Sequence, residues 1–176
     1  MSELRTNRIV PRDGLPSGSS GGVIQIKSKH ITDYFTSNSG TYVDITGHNI
    51  TITPTRADSK ILIQYWINWM HAGGNDTAAT LRLLRNGTVI GSDSGNPMND
   101  DRMGMITMYM ASQAHFSVSG FNYLDSPGTT SALTYKTQLH LDSTSFTGGN
   151  IWGVNRYPAL DDYRGSSSIT AYEVSG

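Results

Sequence analysis

Residues 60–70 read KILIQYWINWM, with Ile61, Ile63, Tyr65, Ile67 and Trp69 on every second position. Successive side chains of an extended chain point to opposite faces, so this spacing predicts a long strand with one thoroughly buried face. The opposite face (Leu62, Gln64, Trp66, Asn68, Met70) is mixed and is expected to be half covered. The same period recurs at 23–27, 42–45, 50–52, 80–85, 88–90, 115–124, 133–141 and 168–174, and a methionine-rich apolar run spans 103–110. Asn86-Gly87, set between two apolar runs, predicts a hairpin with a type I′ turn, which needs positive φ twice. Loops rich in Gly, Asn, Asp, Pro and Ser separate the runs, and no segment sustains a 3.6-residue period. About eight to ten short strands with such turns predict an all-β chain, an antiparallel β-sandwich of jelly-roll type.

Length and charge narrow the function. The 176 residues fit one domain, or one domain with an arm, and a chain of this size buries roughly 70% of its extended surface. Charged residues make up 15% and the net charge is −1. Weak, balanced charge argues against a nucleic-acid groove or a polybasic membrane surface, so neither nucleic acid nor membrane is an expected partner. With zero cysteines, disulfides, thiolate metal sites and cysteine nucleophiles are excluded. No apolar run approaches the ~20 residues of a membrane-spanning helix, and the first residues lack the apolar core of a signal peptide.

The first 22 residues differ from the rest. Leu4, Ile9 and Val10 are set among Arg5, Asn7 and Arg8. Pro11, Gly14 and Pro16 then break any helix, and residues 17–22 (SGSSGG) read as a hinge. The chain therefore divides into a docking arm and hinge, 1–22, and a sandwich, 23–176. Three large aliphatics are too apolar for a solvated tail, so the arm is expected to dock on another chain. Residues 5–10 would do so by adding an edge strand to a neighbour. Burying Leu4, Ile9 and Val10 is worth about 1.5–3 kcal/mol per side chain before ordering costs.

Catalytic chemistry finds little support. The five histidines (His30, His48, His71, His115, His140) show no HExxH and no i, i+4 pair, and His140 falls on the polar side of its strand, where solvation is expected. No G-x-S-x-G elbow precedes a helix. Asp100-Asp101 and Asp161-Asp162 are loop pairs without a D-x-D-x-D-G frame, and solvated acids are favoured over Ca²⁺ ligands. No catalytic residue, metal or cofactor is expected. The aromatics are a surplus to explain. Trp66 and Trp69 read as core or inter-subunit seam in preference to sugar platforms. Trp152, Tyr157 and Tyr163 lie in or near Gly/Pro-rich loops, and for them subunit packing and ligand contact both stay open. Methionine fills irregular gaps well, so the run with Met103, Met105, Met108 and Met110 suits one face in the sandwich and one in a subunit contact.

The opening LRTNRIVPRDG and PSGSSGGVIQ resemble the start of small virion proteins of marine phages, especially those of cyanobacteria. SKILIQYWINW is similar to their S-K-I-L-hydrophobic strand, LRLLRNGTVIG to their hairpin, and SSSITAYEV to their last strand. The likeness spans nearly the whole chain and is carried by the order and spacing of these segments. It implies a virion structural or tail-fibre-like protein, a compact sandwich attached to the capsid or tail through its N-terminus. Only SGSSGG, and no long shaft, separates arm from body, which fits a short knob or decoration protein better than a fibre. The expected function is a non-enzymatic appendage on the virion surface. It would be a homotrimer held to capsid or tail proteins by Leu4, Arg5, Arg8, Ile9 and Val10. The alternative is a module binding a host surface glycan through the loop aromatics.

Overall fold

The computed structural model describes residues 22–72, 77–91, 104–110, 114–141, 151–156 and 163–176. They hold eleven strands and no helix: β1 (Val23–Ile31), β2 (Phe35–Ser37), β3 (Val43–Ile52), β4 (Lys60–Ala72), β5 (Thr77–Arg85), β6 (Thr88–Ile90), β7 (Ile106–Met110), β8 (Ala114–Asp125), β9 (Leu133–Leu141), β10 (Ile151–Val154) and β11 (Ser167–Val174). All pairings are antiparallel, and they form two sheets.

In the first sheet β8 runs along one whole edge of β4, from Ile61↔Asp125 to Ala72↔Ala114. The other edge of β4 is shared: β11 takes Lys60 to Trp66 and β10 takes Trp69 to Ala72. Beyond β11 lies β1, and beyond β10 lies β2. In the second sheet the order is β3–β9–β5, with β6 and β7 dividing the far edge of β5. Taking the long strands in chain order, the path crosses between sheets at nearly every step. Lateral orders β1–β11–β4–β8 and β3–β9–β5–β7 are those of a jelly roll, as the strand pattern predicts.

The inward rows do what a period of two requires. Ile61, Ile63, Tyr65, Ile67 and Trp69 of β4 are fully buried against Leu81, Leu83, Tyr135 and Leu139 of the second sheet. Asn86 and Gly87 have φ of 49° and 87°, the two positive values of the expected turn. Two features depart from the sequence reading. Residues 43–45 and 50–52 belong to one strand, β3, interrupted by a bulge between Asp44 and Asn49 at which Gly47 takes φ 79°, and Tyr42 lies just before it. The strands β2 and β10 are three and four residues long, too short to show a period.

Three polar side chains drawn inside, Asp125, Glu173 and Asn155, are paired. Asp125, 5% exposed, receives Arg85 Nη1 at 2.8 and 2.9 Å and Tyr135 Oη at 2.6 Å, closing one end of the sandwich. Glu173 accepts from Gln25 Nε2 (2.6 Å), Thr55 N (2.7 Å) and Thr55 Oγ1 (2.8 Å). Asn155 donates to the carbonyls of Ile31 and Asp33 and accepts from Ser167 Oγ, tying three segments together.

Candidate functional site

The outer face of the first sheet is the feature that packing leaves unexplained. Its cross-strand rows follow from the register. Ile26, Tyr172, Leu62 and Leu124 form one row, and Ser28, Thr170, Gln64 and Asn122 the next. A third holds His30, Ser168, Trp66 and Gly120, followed by the pairs Asn68–Val118 and Met70–Phe116. No Lys, Arg, Asp or Glu occurs in these rows. Ile26, Trp66, Phe116, Val118 and Leu124 are 56, 50, 47, 63 and 50% exposed. At about half of their full areas they present on the order of 500 Å² of apolar surface in total, divided by the polar row Ser28, Thr170, Gln64 and Asn122. The indole of Trp66 lies over Gly120. A Cβ there would sit 2.7 Å from Trp66 Cε3 and 2.7 Å from the Tyr65 carbonyl oxygen, so only glycine leaves the indole this position.

A second feature is an open depression of about 660 Å³ lined by Thr32, Asp33, Tyr34, Arg164 and Gly165. Tyr34 is 51% exposed, and the Arg156 guanidinium lies 4.5 Å from its ring centre.

The buried titratable groups serve the interior. His48 and Tyr65 are fully buried and share a hydrogen bond through His48 Nδ1. Thr137 Oγ1 donates to Tyr65 Oη at 3.4 Å. Burial, with the nearby Lys29 ammonium adding to it, pulls the His48 imidazole down to about 4, so it is neutral near pH 7. Burial raises Tyr65 and Tyr135 far above the ordinary phenol range. Burial alone would raise the Glu173 carboxyl; the hydrogen bonds from Gln25 and Thr55 outweigh it and hold the group down to about 2.

The predicted site residues fare unequally. The docking-arm residues Leu4, Arg5, Arg8, Ile9 and Val10 and the aromatic Tyr157 lie outside the described residues. So do Asp100-Asp101 and Asp161-Asp162. Trp152 is corrected: it sits in β10, fully buried, with its ring edge-on to Trp69 at 5.8 Å, and is a core residue with no surface to offer a ligand. The Gly-rich surroundings that suggested a loop conceal a short strand whose neighbour is the far end of β4. Tyr163 is 54% exposed and packs on Phe116 at 5.3 Å between ring centres. His140 is also corrected: it is 5% exposed, covered by Tyr42 at 5.0 Å, because a neighbouring segment folds over the outer side of β9. Trp69 is core as expected, whereas Trp66 faces out. Among the described residues no three His, Asp or Glu side chains converge as a metal site. Sequence reasoning missed Tyr34 and the continuity of the outer face. The even-numbered residues 116–124 carried the second signal, but their partners across the sheet were not readable.

No protein-family profile matches the chain. No curated protein matches it. Among solved structures it is similar to the VP2 protein of infectious bursal disease virus in derived T=1 particles, at 14% identity and a TM-score of 0.41, over 98% of this chain and 41% of that one. It is also similar to the insecticidal delta-endotoxin Cry8Ea1 of Bacillus thuringiensis, at 13% identity and a TM-score of 0.39, over 81% of this chain and 20% of that one. The chain thus spans less than half the length of these proteins, and no role or site is carried from them to it.

Proposed function

We propose that this chain is a non-enzymatic structural protein of a virus particle, of the phage type that its sequence resembles. Its jelly-roll body forms an oligomeric knob or decoration at the particle surface, and residues 1–10 attach it to capsid or tail proteins. The observation that carries this reading is the set of exposed apolar side chains, Ile26, Trp66, Phe116, Val118 and Leu124, on the outer face of the first sheet. A body that exposes such a face is shaped to be covered by protein in its working state. The interior ion pair and the buried histidine hold the fold together, which is consistent with a scaffold. The test is particle composition. The full chain should be found in purified particles at a fixed copy number, and deletion of residues 1–10 should yield a folded protein that is absent from them. Absence of the full chain from purified particles refutes the reading.

A glycan-binding role is the second reading, and the depression beside Tyr34 favours it. An exposed phenol ring flanked by Arg156, with Asp33 and Arg164 at the rim, suits a sugar face and its hydroxyls. Binding of the body to host-surface polysaccharide, abolished by Tyr34→Ala with folding retained, would establish it. No binding at millimolar oligosaccharide would remove it.

A further inference from the structure

We infer that β8 is a self-recognition strand: a second copy of this chain adds its own β8 to the outer edge, which no strand takes among the described residues, antiparallel, about a two-fold axis at Gly120. The inference goes beyond attachment to a particle and concerns the contact between copies.

The edges of the two sheets are not alike. The edge strand β1 carries Lys27 and Lys29 and a register shift between Val23 and Gln25. The edge strand β3 is broken by its bulge, and β6 and β7 are three and five residues long. Lysines, bulges and short length are the usual devices that stop an edge from pairing. β8 has none of them. It is twelve residues long, and it keeps an unbroken register with β4 from Asp125 to Ala114. Residues 114–124 contain no charged residue and no proline. Among the described residues no strand takes its outer edge. Three guarded edges and one long unguarded one point to a strand that is meant to be paired.

The occupant follows from the sequence of β8 itself. A two-fold contact brings the same surface together twice, so it must be complementary to itself. With the axis at Gly120, Phe116 faces Leu124 of the second copy, Val118 faces Asn122, and Gly120 faces its own counterpart. Apolar groups meet at both ends and no charge meets another. The outward set, Phe116, Val118, Asn122 and Leu124, meets the outward set of the other copy. A slip of one residue would set outward against inward side chains, so that register is excluded. Gly120, kept bare for the Trp66 indole, removes any side chain from the axis and brings the two half-exposed indoles close to it. This pairing closes at two copies, in place of the three expected from the sequence.

The experiment measures mass by sedimentation and light scattering on the full chain, between about 1 and 100 µM, a range that brackets micromolar affinity. Wild type should reach the mass of a dimer. Val118→Lys with Asn122→Lys places like charges opposite each other at two symmetric points and should weaken association about tenfold or more. Val118→Lys with Asn122→Glu places opposite charges at the same points and should restore the dimer. Both positions are exposed, so the fold should tolerate them. Hydrogen exchange of wild type should show β8 amides whose protection falls on dilution, a readout that requires no variant. Deletion of residues 1–21 should leave the dimer intact, whatever becomes of particle attachment. A monomer at the highest concentration, a trimer, no rescue by the charge pair, or loss of association on deleting residues 1–21 would each overturn the inference.

Discussion

The buried imidazole of His48 makes the fold sensitive to mild acid, and the size of the effect can be worked out. The ring is fully buried, and its Nδ1 shares a hydrogen bond with the Tyr65 hydroxyl. Burial, assisted by Lys29, lowers its ordinary 6.5 to about 4. At pH 7 the ring is neutral in both the folded and the unfolded chain. Below 6.5 the unfolded chain takes up a proton that the folded chain refuses until about 4. Stability therefore falls through that window and levels off beneath it. The full difference is worth about 3 kcal/mol. His48→Asn keeps an acceptor near Tyr65 but does not titrate and fills less space. At pH 7 it should cost about 1–2 kcal/mol. Urea unfolding followed by the fluorescence of buried Trp69 and Trp152 at several pH values would trace both proteins. The wild-type curve should fall below that of the variant near pH ~5, with unchanged urea dependence. Parallel curves from pH 7 to 4 would refute the assignment of a neutral, desolvated imidazole.

Glu173→Gln should lower stability at neutral pH, and the gap to wild type should close as pH falls from 4.5 toward 2, because the folded carboxylate is held ionised down to about 2. The same pH series checks it, and a gap that widens in acid would contradict the hydrogen-bonded carboxylate. Asp125→Asn should cost about 1–3 kcal/mol in urea unfolding at pH 7, since it removes the carboxylate that takes both bonds from Arg85 Nη1 and one from the Tyr135 hydroxyl. Gly87→Ala places a side chain at φ 87° and should cost about 1 kcal/mol, read as a shift in thermal midpoint.

His140 and Trp66 show why only part of the site was legible. The face on which a side chain lies is a matter of counting by two, and the inward rows of β4, β9 and β11 follow from that count. What covers a face is a different question. His140 lies on the outward side of β9 as its position predicts, yet Tyr42 and its surroundings close over it. Trp66 lies on the outward side of β4, and nothing among the described residues closes over its indole. The two positions look equivalent in the sequence. Trp152 fails for a related reason: four residues of β10 gain their place from hydrogen bonds to β4, about eighty positions earlier, and not from any pattern of their own.

Alternation and turn chemistry are local properties, carried by neighbours one or two residues apart, so the sequence by itself determined the long strands and the buried face of each, the Asn86-Gly87 turn and a two-layer β architecture. Tertiary structure decided which outward faces are covered, which tryptophan is core, how Glu173 is held by Gln25 at the other end of the body, and that among the described edge strands β8 is the long one with an unbroken register and no charge from 114 to 124. Those outcomes depend on which segments, far apart along the chain, become neighbours when the sheets assemble. That choice rests on the summed burial and hydrogen bonding of the whole domain and leaves no mark in any short stretch of residues.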